Sequence, residues 1–552
     1  MNVNALFRML VVGIALVSVQ ALSQPTIGTN GVVNSASYAQ PGLPNFGVAQ
    51  GSIFTIFGQN LGPAKIVQVS SFPLPTSAGL SGTSVQVTVN GTQVYAIMLY
   101  TLATQVAAVL PSNTPVGTGT VTATYNGQTS NAAPITVVAR SFGIFATNQS
   151  GSGQGVLQNV NSQSDRPFNG PSVSAQPGQT IILWGTGLGP VSGNEAGEPL
   201  PGDMPNLNIH VYVGGVEAKI QYRGRSGCCV GDDQIVFTVP AGVEGCALPV
   251  YVVIDGIVSN FVTMSVGANG AACEDAGGLT AAQLEAAQKN GGLKIGVLAV
   301  GRFISEPSGK VQRNDNVSAT FEFEPLSDFG GGAGLVSNGA CTVLTFPSHA
   351  AGGALPQGLE VGTVTAATPV GTYPLPEVQT QKGTYLLTFF PIYPNPAPPG
   401  IINDGTLLTG GTTTISFTGG SGISGGSGSI DFPLTFQWTN DSAITKIDRS
   451  QPLTILWTGG TKGDVVNIFI QSQASLGVGA ELICAADASL GTFTISPQLL
   501  SALPPSYLGA SGTPQASISV EESFYGTFSA AGLDFGQTQF HDTVDKAPIL
   551  IQ

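Results

Sequence analysis

An internal duplication constrains the fold of this chain more than any other feature. The segment Gly51–Pro63 (GSIFTIFGQNLGP) recurs as Gly178–Pro190 (GQTIILWGTGLGP). Three further pairs of similar blocks follow in the same order and at nearly the same spacing. They are Val89–Gly91 with Val213–Gly215, Gln105–Pro111 with Gln234–Pro240, and Tyr125–Asn131 with Ile254–Asn260. Such ordered repetition predicts two copies of one structural module in the first half of the chain.

The repeated blocks have the pattern of short strands separated by tight turns. Val85–Val89 alternates apolar and polar residues with a period of two, which is typical of a half-buried strand. Asn90–Gly91 and Gly214–Gly215 suit two-residue hairpins, because the favoured turn needs positive φ at both central residues. Many short strands with no helical period between them indicate an all-β protein built of tandem immunoglobulin-like β-sandwiches.

The order of these motifs resembles a family of secreted acidobacterial proteins with paired immunoglobulin-like domains related to IPT/TIG modules. The resemblance includes Val32–Tyr38 (VVNSASY) and Pro73–Ser77 (PLPTS) as well as the repeated blocks. It implies two homologous sandwiches and export from the cell, whereas the function of the family is uncharacterised. The chain departs from the family pattern at Gly224–Gly245, where a cysteine-bearing insert replaces an aromatic and glycine-rich loop.

The N-terminus has the features of a secretory signal peptide. Met1–Arg8 is basic and contains no acidic residue, and an apolar run follows at Met9–Val19. The run is too short for a membrane anchor, which needs about 20 apolar residues. We expect cleavage after Ser23, no transmembrane segment in the mature protein, and a location in the extracellular space, at the cell surface or in the periplasm.

The six cysteines are candidate disulfide partners, because an exported protein meets an oxidising environment. We expect Cys341 to bond with Cys484. The other expected bonds join Cys228 and Cys229 to Cys246 and Cys273, in either order, with free buried thiols as the alternative. A zinc site is disfavoured, because adjacent thiolates rarely both reach one tetrahedral ion.

The second half of the chain is also predicted to be β-rich. The expected division is a signal peptide (1–23), a first sandwich (24–139), a second sandwich (140–270), a linker with a short helix (271–294), a β-rich domain (295–437) and a β-sandwich-like domain (438–552). Thr280–Gln283 resembles a capping box, and Gly291 supplies a stop, which together predict one helix at Ala281–Lys289.

Two other patterns in the second half lead to specific expectations. The Gly/Ser-rich runs Gly330–Gly334 and Thr418–Ser429 are predicted to be loops. Trp438 and Trp457 lie in two similar short segments, and we expect them in a sandwich core rather than on a sugar-stacking surface.

The composition argues against several classes of function. Lys and Arg number 17 against 31 Asp and Glu, which gives a net charge of −14 and no electrostatic footprint for nucleic acid. The three histidines, His210, His349 and His541, each stand alone in the sequence and are expected on the surface or in turns. Gly422–Gly426 matches the GxSxG motif but lies in a Gly/Ser run without a strand–helix context, which favours a loop. We therefore expect no catalytic residue, no cofactor and no metal.

The cysteine-bearing insert holds the candidate ligand-binding residues. Arg223 and Arg225 flank it and are candidates to recognise an anionic group such as a uronic acid carboxylate. Asp232 and Asp233 are candidates for a loop calcium site completed by backbone carbonyls. The favoured alternatives are pairing of the arginines with Asp232, Asp233 or Glu244, and a solvated loop.

The sequence therefore favours a secreted or cell-surface, non-catalytic binding or adhesion protein. Its partner would be a polysaccharide, a cell-envelope component or another protein. The alternative is a structural spacer or matrix protein without a ligand pocket, and a less favoured one is a hydrolase that uses carboxylates of the second half. Dense exposed aromatic residues would favour binding, a smooth polar surface would favour a spacer, and a deep cleft with two carboxylates would favour a hydrolase.

Overall fold

The computed structural model describes residues 24–268, 270, 272–273, 279–305, 311–325, 336–347, 356–389 and 407–552. The predicted signal peptide, the run Gly330–Gly334 and His349 lie outside these residues. Within them the chain is almost entirely β-structure, which confirms the predicted all-β class with tandem immunoglobulin-like sandwiches. None of the helices in the described ranges has the length and hydropathy needed to cross a bilayer.

The first sandwich is built from eleven strands in two sheets. They are β1 (Thr26–Asn34), β2 (Val48–Ala49), β3 (Ile53–Gln59), β4 (Val67–Gln68), β5 (Thr83–Val89), β6 (Thr92–Tyr95), β7 (Ile97–Leu102), β8 (Gln105–Val109), β9 (Gly117–Tyr125), β10 (Gln128–Thr129) and β11 (Ala133–Val138). One sheet has the order β1–β3–β8–β7–β4, and the other has the order β2–β11–β9–β5–β6 with β10 beside β9. Phe54, Ile56 and Val87 lie in the core between them.

The second sandwich contains ten strands in one continuously hydrogen-bonded sheet. They are β12 (Gly143–Ile144), β13 (Leu157–Asn159), β14 (Thr180–Thr186), β15 (Gly202–Asp203), β16 (Ile209–Val213), β17 (Val216–Arg225), β18 (Asp233–Thr238), β19 (Gly245–Ile254), β20 (Ile257–Val258) and β21 (Val262–Val266). The order is β12–β14–β18–β17–β16–β19–β20, with β13 beside β14, β15 beside β17 and β21 beside β19.

The two sandwiches repeat one scheme of strand pairing. The pairs β3–β8, β5–β9 and β9–β11 of the first sandwich correspond to β14–β18, β16–β19 and β19–β21 of the second. In the first sandwich Ala96 separates β6 from β7, so the two layers are separate sheets. In the second, β17 continues through this position, with a register shift between Ile220 and Tyr222, and pairs with both layers. The duplication in the sequence is therefore also present in the strand pairing.

The predicted connecting helix is present as α1 (Ala281–Asn290). The Thr280 side chain accepts a hydrogen bond from the Gln283 backbone, and the Gln283 side chain accepts one from the Thr280 backbone, which confirms the capping box. Gly291 ends the helix with a φ of 76°, a conformation that glycine adopts without a Cβ clash. Gln283 also donates to the carbonyl of Asp534, so the helix is attached to the following unit.

The described residues between 292 and 552 form a third unit with eighteen strands and one short α-helix. They are β22 (Gly292–Ser305), β23 (Gln312–Pro325), β24 (Cys341–Phe346), β25 (Gln357–Gly358), β26 (Val364–Thr368), β27 (Gly371–Leu375), β28 (Thr384–Phe389), β29 (Gly411–Gly420), β30 (Ile423–Phe432), β31 (Gln437–Trp438), β32 (Lys446–Ile447), β33 (Leu453–Thr458), β34 (Val465–Ser475), β35 (Val478–Asp487), β36 (Thr492–Ile495), α2 (Pro497–Leu500), β37 (Ala516–Phe528), β38 (Phe535–Lys546) and β39 (Leu550–Ile551).

The largest sheet of this unit, called the main sheet here, spans both of the predicted C-terminal domains. Its order is β24–β35–β34–β37–β38–β22–β23–β25, with β28 beside β23. β22 and β38 run parallel, from the pair Ile295 and Phe535 to the pair Ser305 and Asp545. The predicted boundary between residues 437 and 438 therefore does not separate two sheets. Pairing between strands so far apart in the chain leaves no signal in the local pattern from which the boundary was drawn.

Smaller sheets cover one face of the main sheet, and each covers a different half. The sheet β27–β26–β29–β30 packs over β22 and β23 around Phe321, Phe417 and Phe540. The sheet β31–β33–β36 and the pair β32–β39 contribute to a second core with β34 and β37. Trp438 and Trp457 face each other across β31 and β33 and are both buried, as predicted.

The run Thr418–Ser429, predicted to be a loop, instead belongs to the hairpin of β29 and β30. Gly428 serves close packing, since a Cβ on it would lie 2.8 Å from a methyl carbon of Leu298. Ser424 of the GxSxG match lies on β30 and is followed by strand rather than helix, so the nucleophile-elbow geometry is absent here.

All six cysteines are paired, but only one predicted bond is present as expected. Cys341 bonds with Cys484 directly across β24 and β35. The other predicted pairing is wrong: Cys228 bonds with its neighbour Cys229, and Cys246 bonds with Cys273. Because Cys228 and Cys229 bond with each other, Cys246 and Cys273 pair with one another instead of with these two residues.

Candidate binding site

A buried ion pair joins the end of β17 to the start of β18. Arg225 and Asp233 are opposite each other in the strand register, and the guanidinium binds the carboxylate through Nη1 and Oδ1. The second carboxylate oxygen accepts hydrogen bonds from the backbone of Gly187 and Leu188, both 2.7 Å long. Arg225 Nη2 donates to the carbonyl of Gly189 over 2.7 Å. The pair therefore holds the loop that follows β14 against the end of the sheet.

This geometry corrects the prediction that Arg225 and Asp233 contact a ligand. Arg225 is 3% exposed and Asp233 is 0% exposed, so neither side chain reaches solvent. The alternative of local pairing is confirmed for these two residues. Asp233 is also unsuited to calcium binding, because both of its oxygens already have partners. Arg223 donates through Nη2 to the carbonyl of Pro205 over 2.8 Å. This hydrogen bond holds the segment that follows β15 against β17.

The last residue of β14 and the loop after it join the second sandwich to the first. Thr186 Oγ1 accepts a hydrogen bond from the Ile53 backbone over 2.9 Å and donates to the carbonyl of Gly231 over 2.7 Å. The carboxylate of Glu195 accepts a hydrogen bond of 2.8 Å from the backbone of Ser112. Apolar side chains of both sandwiches fill the remaining contact. They are Ile53, Leu74, Ile97, Val109 and Val230. The joint between the sandwiches is therefore a buried interface rather than a free linker.

An open groove of about 780 Å³ lies beside this joint, and we call it the sandwich-end groove. Its walls are Pro190–Ser192, Glu198–Met204 and Gly227. Val191, Leu200 and Met204 supply apolar surface, whereas Glu198 and Asp203 supply exposed carboxylates. No Lys, Arg or aromatic residue is among the described residues that line it. Its surface thus combines hydrogen-bond acceptors with aliphatic patches and carries negative charge.

The cysteine loop, Ser226–Asp232, forms the rim of the groove. Gly227 lines the groove itself, and Cys229 lines a smaller recess that shares Val191, Glu198 and Leu200 with it. Cys228 and Cys229 are exposed, and a carboxylate oxygen of Asp232 lies within 4.8 Å of both sulfur atoms. Burial, followed by the neighbouring charge of Asp233, raises the pKa of Asp232 to about 7.

A second polar cluster, on the main sheet, was not found from the sequence. His541 Nδ1 lies 2.9 Å from Glu521 Oε1 and 3.0 Å from Ser523 Oγ, while Nε2 lies 2.8 Å from Gln539 Oε1. Burial acts to raise the pKa of Glu521, but the hydrogen bonds and the charge of His541 outweigh it and leave this pKa lowered. His541 is therefore not isolated, contrary to the prediction, and the pairing of β37 with β38 brings Glu521 and Ser523 close to it.

This cluster does not have the geometry of a hydrolase triad. In such a triad the nucleophile and the acid contact opposite nitrogens of the histidine ring. Here Ser523 and Glu521 both contact Nδ1, and Gln539 occupies Nε2. Ser523 is also fully buried. The arrangement is a satisfied hydrogen-bond network between two strands.

Buried carboxyl groups occupy the opposite face of the main sheet. Glu522 and Asp542 are cross-strand neighbours and are 0% and 5% exposed. The carboxyl groups of Asp464 and Asp542 both lie close enough to Glu522 for their charges to act on it. Burial is the main cause that raises the pKa of Glu522 to about 7 and that of Asp542 to about 6. These carboxyl groups lie in the core, not across a cleft, so a substrate has no access to them.

No known protein family matches the sequence, and no curated protein matches it. Domains 4–9 of the surface layer protein SbsC align at 11% identity over 93% of this chain and 83% of that one, with a TM-score of 0.17. The glucan-utilisation protein SGBP-B of Bacteroides ovatus aligns at 10% identity over 85% of this chain and 88% of that one, with a TM-score of 0.14. Titin domains A168–A170 align at 11% identity over 69% and 91%, with a TM-score of 0.12. Such low scores say nothing about what this chain does.

Substitution of Arg225 tests the importance of the buried ion pair. Arg225→Ala leaves the Asp233 carboxylate buried without its cation, so we expect the free energy of unfolding to fall by about 3–5 kcal/mol. Denaturant unfolding of the two proteins measures the difference. Arg166→Ala removes an exposed arginine of the same sandwich and is expected to change stability by less than about 0.5 kcal/mol. Equal effects of the two substitutions would contradict the assignment.

The buried carboxyl groups of the main sheet predict a pH-dependent stability. Because folding raises the pKa of Glu522 from 4.5 to about 7, the folded state binds a proton that the unfolded state releases. This contribution is complete below about pH 4.5 and is lost as the pH rises through about 7. We therefore expect Glu522→Gln to stabilise the protein at pH 8 by about 1–3 kcal/mol and to change it little at pH 4.5.

The measurement is denaturant unfolding between pH 4.5 and 8. Glu244→Gln, at an exposed glutamate, is the matched control and should leave the whole pH profile unchanged. A Glu522→Gln profile that runs parallel to that of the unsubstituted protein would show that Glu522 does not titrate as described.

Proposed function

We propose that this chain is an exported, non-catalytic binding protein whose second sandwich binds a neutral polysaccharide in the sandwich-end groove. The observation that carries the proposal is the construction of the groove. Its loops lie at the end of a sandwich. The buried pair of Arg225 and Asp233 holds the chain just before Pro190 through hydrogen bonds to the backbone of Gly187 and Gly189. Loops held by a rigid scaffold are the usual place for binding residues, and a preformed site loses little entropy when a ligand binds.

The charge of the groove supports a neutral ligand. Glu198 and Asp203 line it, and no cationic side chain is present among its described lining residues. The chain also carries a net charge of −14, so a polyanion would meet repulsion both at the groove and at long range. Sugar hydroxyls can donate to the carboxylates, and the C–H faces of the rings can pack on Val191, Leu200 and Met204. The earlier expectation of a uronic acid ligand loses its support, because Arg223 and Arg225 serve the fold.

The groove carboxylates also support a binding role without catalysis. A glycosidase holds its general acid in an apolar and buried setting. Glu198 and Asp203 instead lie exposed in an open groove.

Export and an extracellular or surface location are part of the same proposal. The signal-peptide pattern of residues 1–23 and the resemblance to a secreted immunoglobulin-like family favour it. The pairing of all six cysteines fits an oxidising compartment.

A structural spacer remains the second candidate, because the groove lacks an aromatic side chain among its described lining. Aromatic rings are common platforms in ligand sites. The exposed aromatic residues of the first two sandwiches, Phe72, Tyr95 and Phe168, are isolated in the sequence rather than gathered at the groove. The buried joint between the sandwiches would also suit a stiff spacer.

Binding of the mature chain, residues 24–552, to a panel of soluble polysaccharides distinguishes the candidates. We expect saturable binding to a neutral polymer such as a β-glucan, xylan or mannan, and none to alginate or polygalacturonate. Affinity electrophoresis and calorimetry provide the measurement. In Glu198→Gln/Asp203→Asn the acceptors lose their charge, and affinity for the neutral polymer should fall about tenfold or more.

Glu244→Gln, an exposed substitution on the same sandwich and outside the groove, should leave binding unchanged. No binding to any polymer would favour the spacer. Binding that the double substitution does not affect would place the ligand elsewhere on the molecule.

A further inference from the structure

The three disulfides differ in their surroundings. Cys341 and Cys484 are buried and join two neighbouring strands of the main sheet. Cys273 is buried and bonds with the half-buried Cys246, which fastens the linker to β19. By contrast, Cys228 and Cys229 are both exposed on the cysteine loop. Among the described residues, Cys228–Cys229 is therefore the disulfide with both cysteines exposed to a reagent in solution.

The exposed disulfide also lacks the usual stabilising role. A disulfide stabilises a fold largely because it shortens a loop in the unfolded chain, and the effect grows with loop length. The sequence separations are 143 residues for Cys341–Cys484, 27 for Cys246–Cys273 and 1 for Cys228–Cys229. A bond between adjacent residues closes no loop of the chain. Its presence is therefore not explained by stability.

We propose that Cys228 and Cys229 form a reversible thiol–disulfide exchange site that reacts with thiols in the surroundings of the protein. The site lies on the rim of the sandwich-end groove, where Gly227 and Cys229 contribute to the walls. The inference stands independently of any polysaccharide ligand, because it rests on exposure and on the missing loop constraint. Exposed disulfides are in general the labile ones, whereas buried structural ones resist reduction.

The exchange proceeds in two balanced steps. The thiolate of an external thiol attacks one sulfur of the pair, which forms a mixed disulfide and releases the other sulfur as a thiolate. A second external thiolate then attacks the external sulfur of the mixed disulfide. This step forms a disulfide between the two external thiols and releases the second cysteine as a thiolate, so both cysteines are reduced. The protein gains two electrons and two protons, and the external thiols lose them. A dithiol completes both steps within one molecule and is therefore the more effective reductant.

Asp232 acts as a positioning residue at this site. Its carboxylate oxygen lies within 4.8 Å of both sulfur atoms. A negative charge so near disfavours the thiolate that each step releases, because a nearby charge of the same sign raises the pKa of a thiol. Removal of this charge should therefore speed the exchange without a change of fold.

Limited reduction of the native mature chain tests the proposal. The protein is treated at pH 8 with dithiothreitol, trapped with iodoacetamide at intervals and analysed by peptide mass spectrometry. We expect alkylation at Cys228 and Cys229 at a rate at least about a hundredfold above that at the other four cysteines, whose reaction needs local opening. Asp232→Asn should raise the rate at the pair several-fold, and Glu244→Gln should not change it.

Matched variants separate this role from a structural one. Cys228→Ser/Cys229→Ser should release no fast-reacting thiol and should keep the thermal midpoint of the parent within about 1 °C, since it removes no loop constraint. Cys341→Ala/Cys484→Ala should lower that midpoint clearly. Alkylation of Cys228 and Cys229 without any reductant would overturn the proposal, because the pair would then be free thiols. Equal reduction of all three disulfides, or a clear loss of stability in the serine variant, would overturn it as well.

Discussion

The buried pair of Arg225 and Asp233 is the interaction on which the end of the second sandwich depends. Burial of two charges costs free energy that their attraction offsets only when the remaining polar atoms are also satisfied. Here the carboxylate accepts two backbone hydrogen bonds and the guanidinium donates to the Gly189 carbonyl, so that Nε of Arg225 is the one buried atom of the pair without a hydrogen-bond partner among the described residues. These contacts fix the end of β14 and the loop after it, which supply Thr186 and Glu195 to the joint with the first sandwich. The same buried ion pair therefore stabilises both the sandwich-end groove and the joint between the sandwiches.

The third unit depends on a different constraint, the parallel pairing of β22 with β38. This pairing joins the beginning and the end of the unit in the main sheet. The smaller sheets then cover separate halves of one face, and the two cores meet near Glu522 and Asp542. A buried carboxyl group costs free energy when it is charged. The folded state is therefore most stable when Glu522 and Asp542 are protonated.

Local patterns allowed much of the fold to be predicted. The two sandwiches followed from repeated blocks, and α1 followed from the capping residue Thr280 and the stop at Gly291. The buried Trp438 and Trp457 followed from their position in apolar strands. Contacts between distant parts of the chain were not predictable in this way. The main sheet, which extends across residues 437 and 438, depends on long-range strand pairing, and so do the contacts of His541 with Glu521 and Ser523.

The candidate site shows the same limit. The sequence named Arg225 and Asp233 as ligand candidates and favoured local pairing instead, and the structure confirms that these two side chains pair with each other. The groove residues Glu198 and Asp203 carry no sequence signal, since exposed acids are common in loops. The glycine-rich hairpin of β29 and β30 was wrongly predicted to be a loop. At Gly428 a glycine is needed because Leu298 lies too close for a side chain, and this contact is visible only in three dimensions.

Hydrogen–deuterium exchange of the mature chain, with and without a saturating neutral polysaccharide, tests the central claim most directly. Our account predicts slower exchange at the amides of 191–204 and of the cysteine loop 226–232, with no change on the exposed face of the main sheet around His541. Protection confined to the main sheet, or no protection anywhere under saturating conditions, would contradict the assignment of the sandwich-end groove as the binding site.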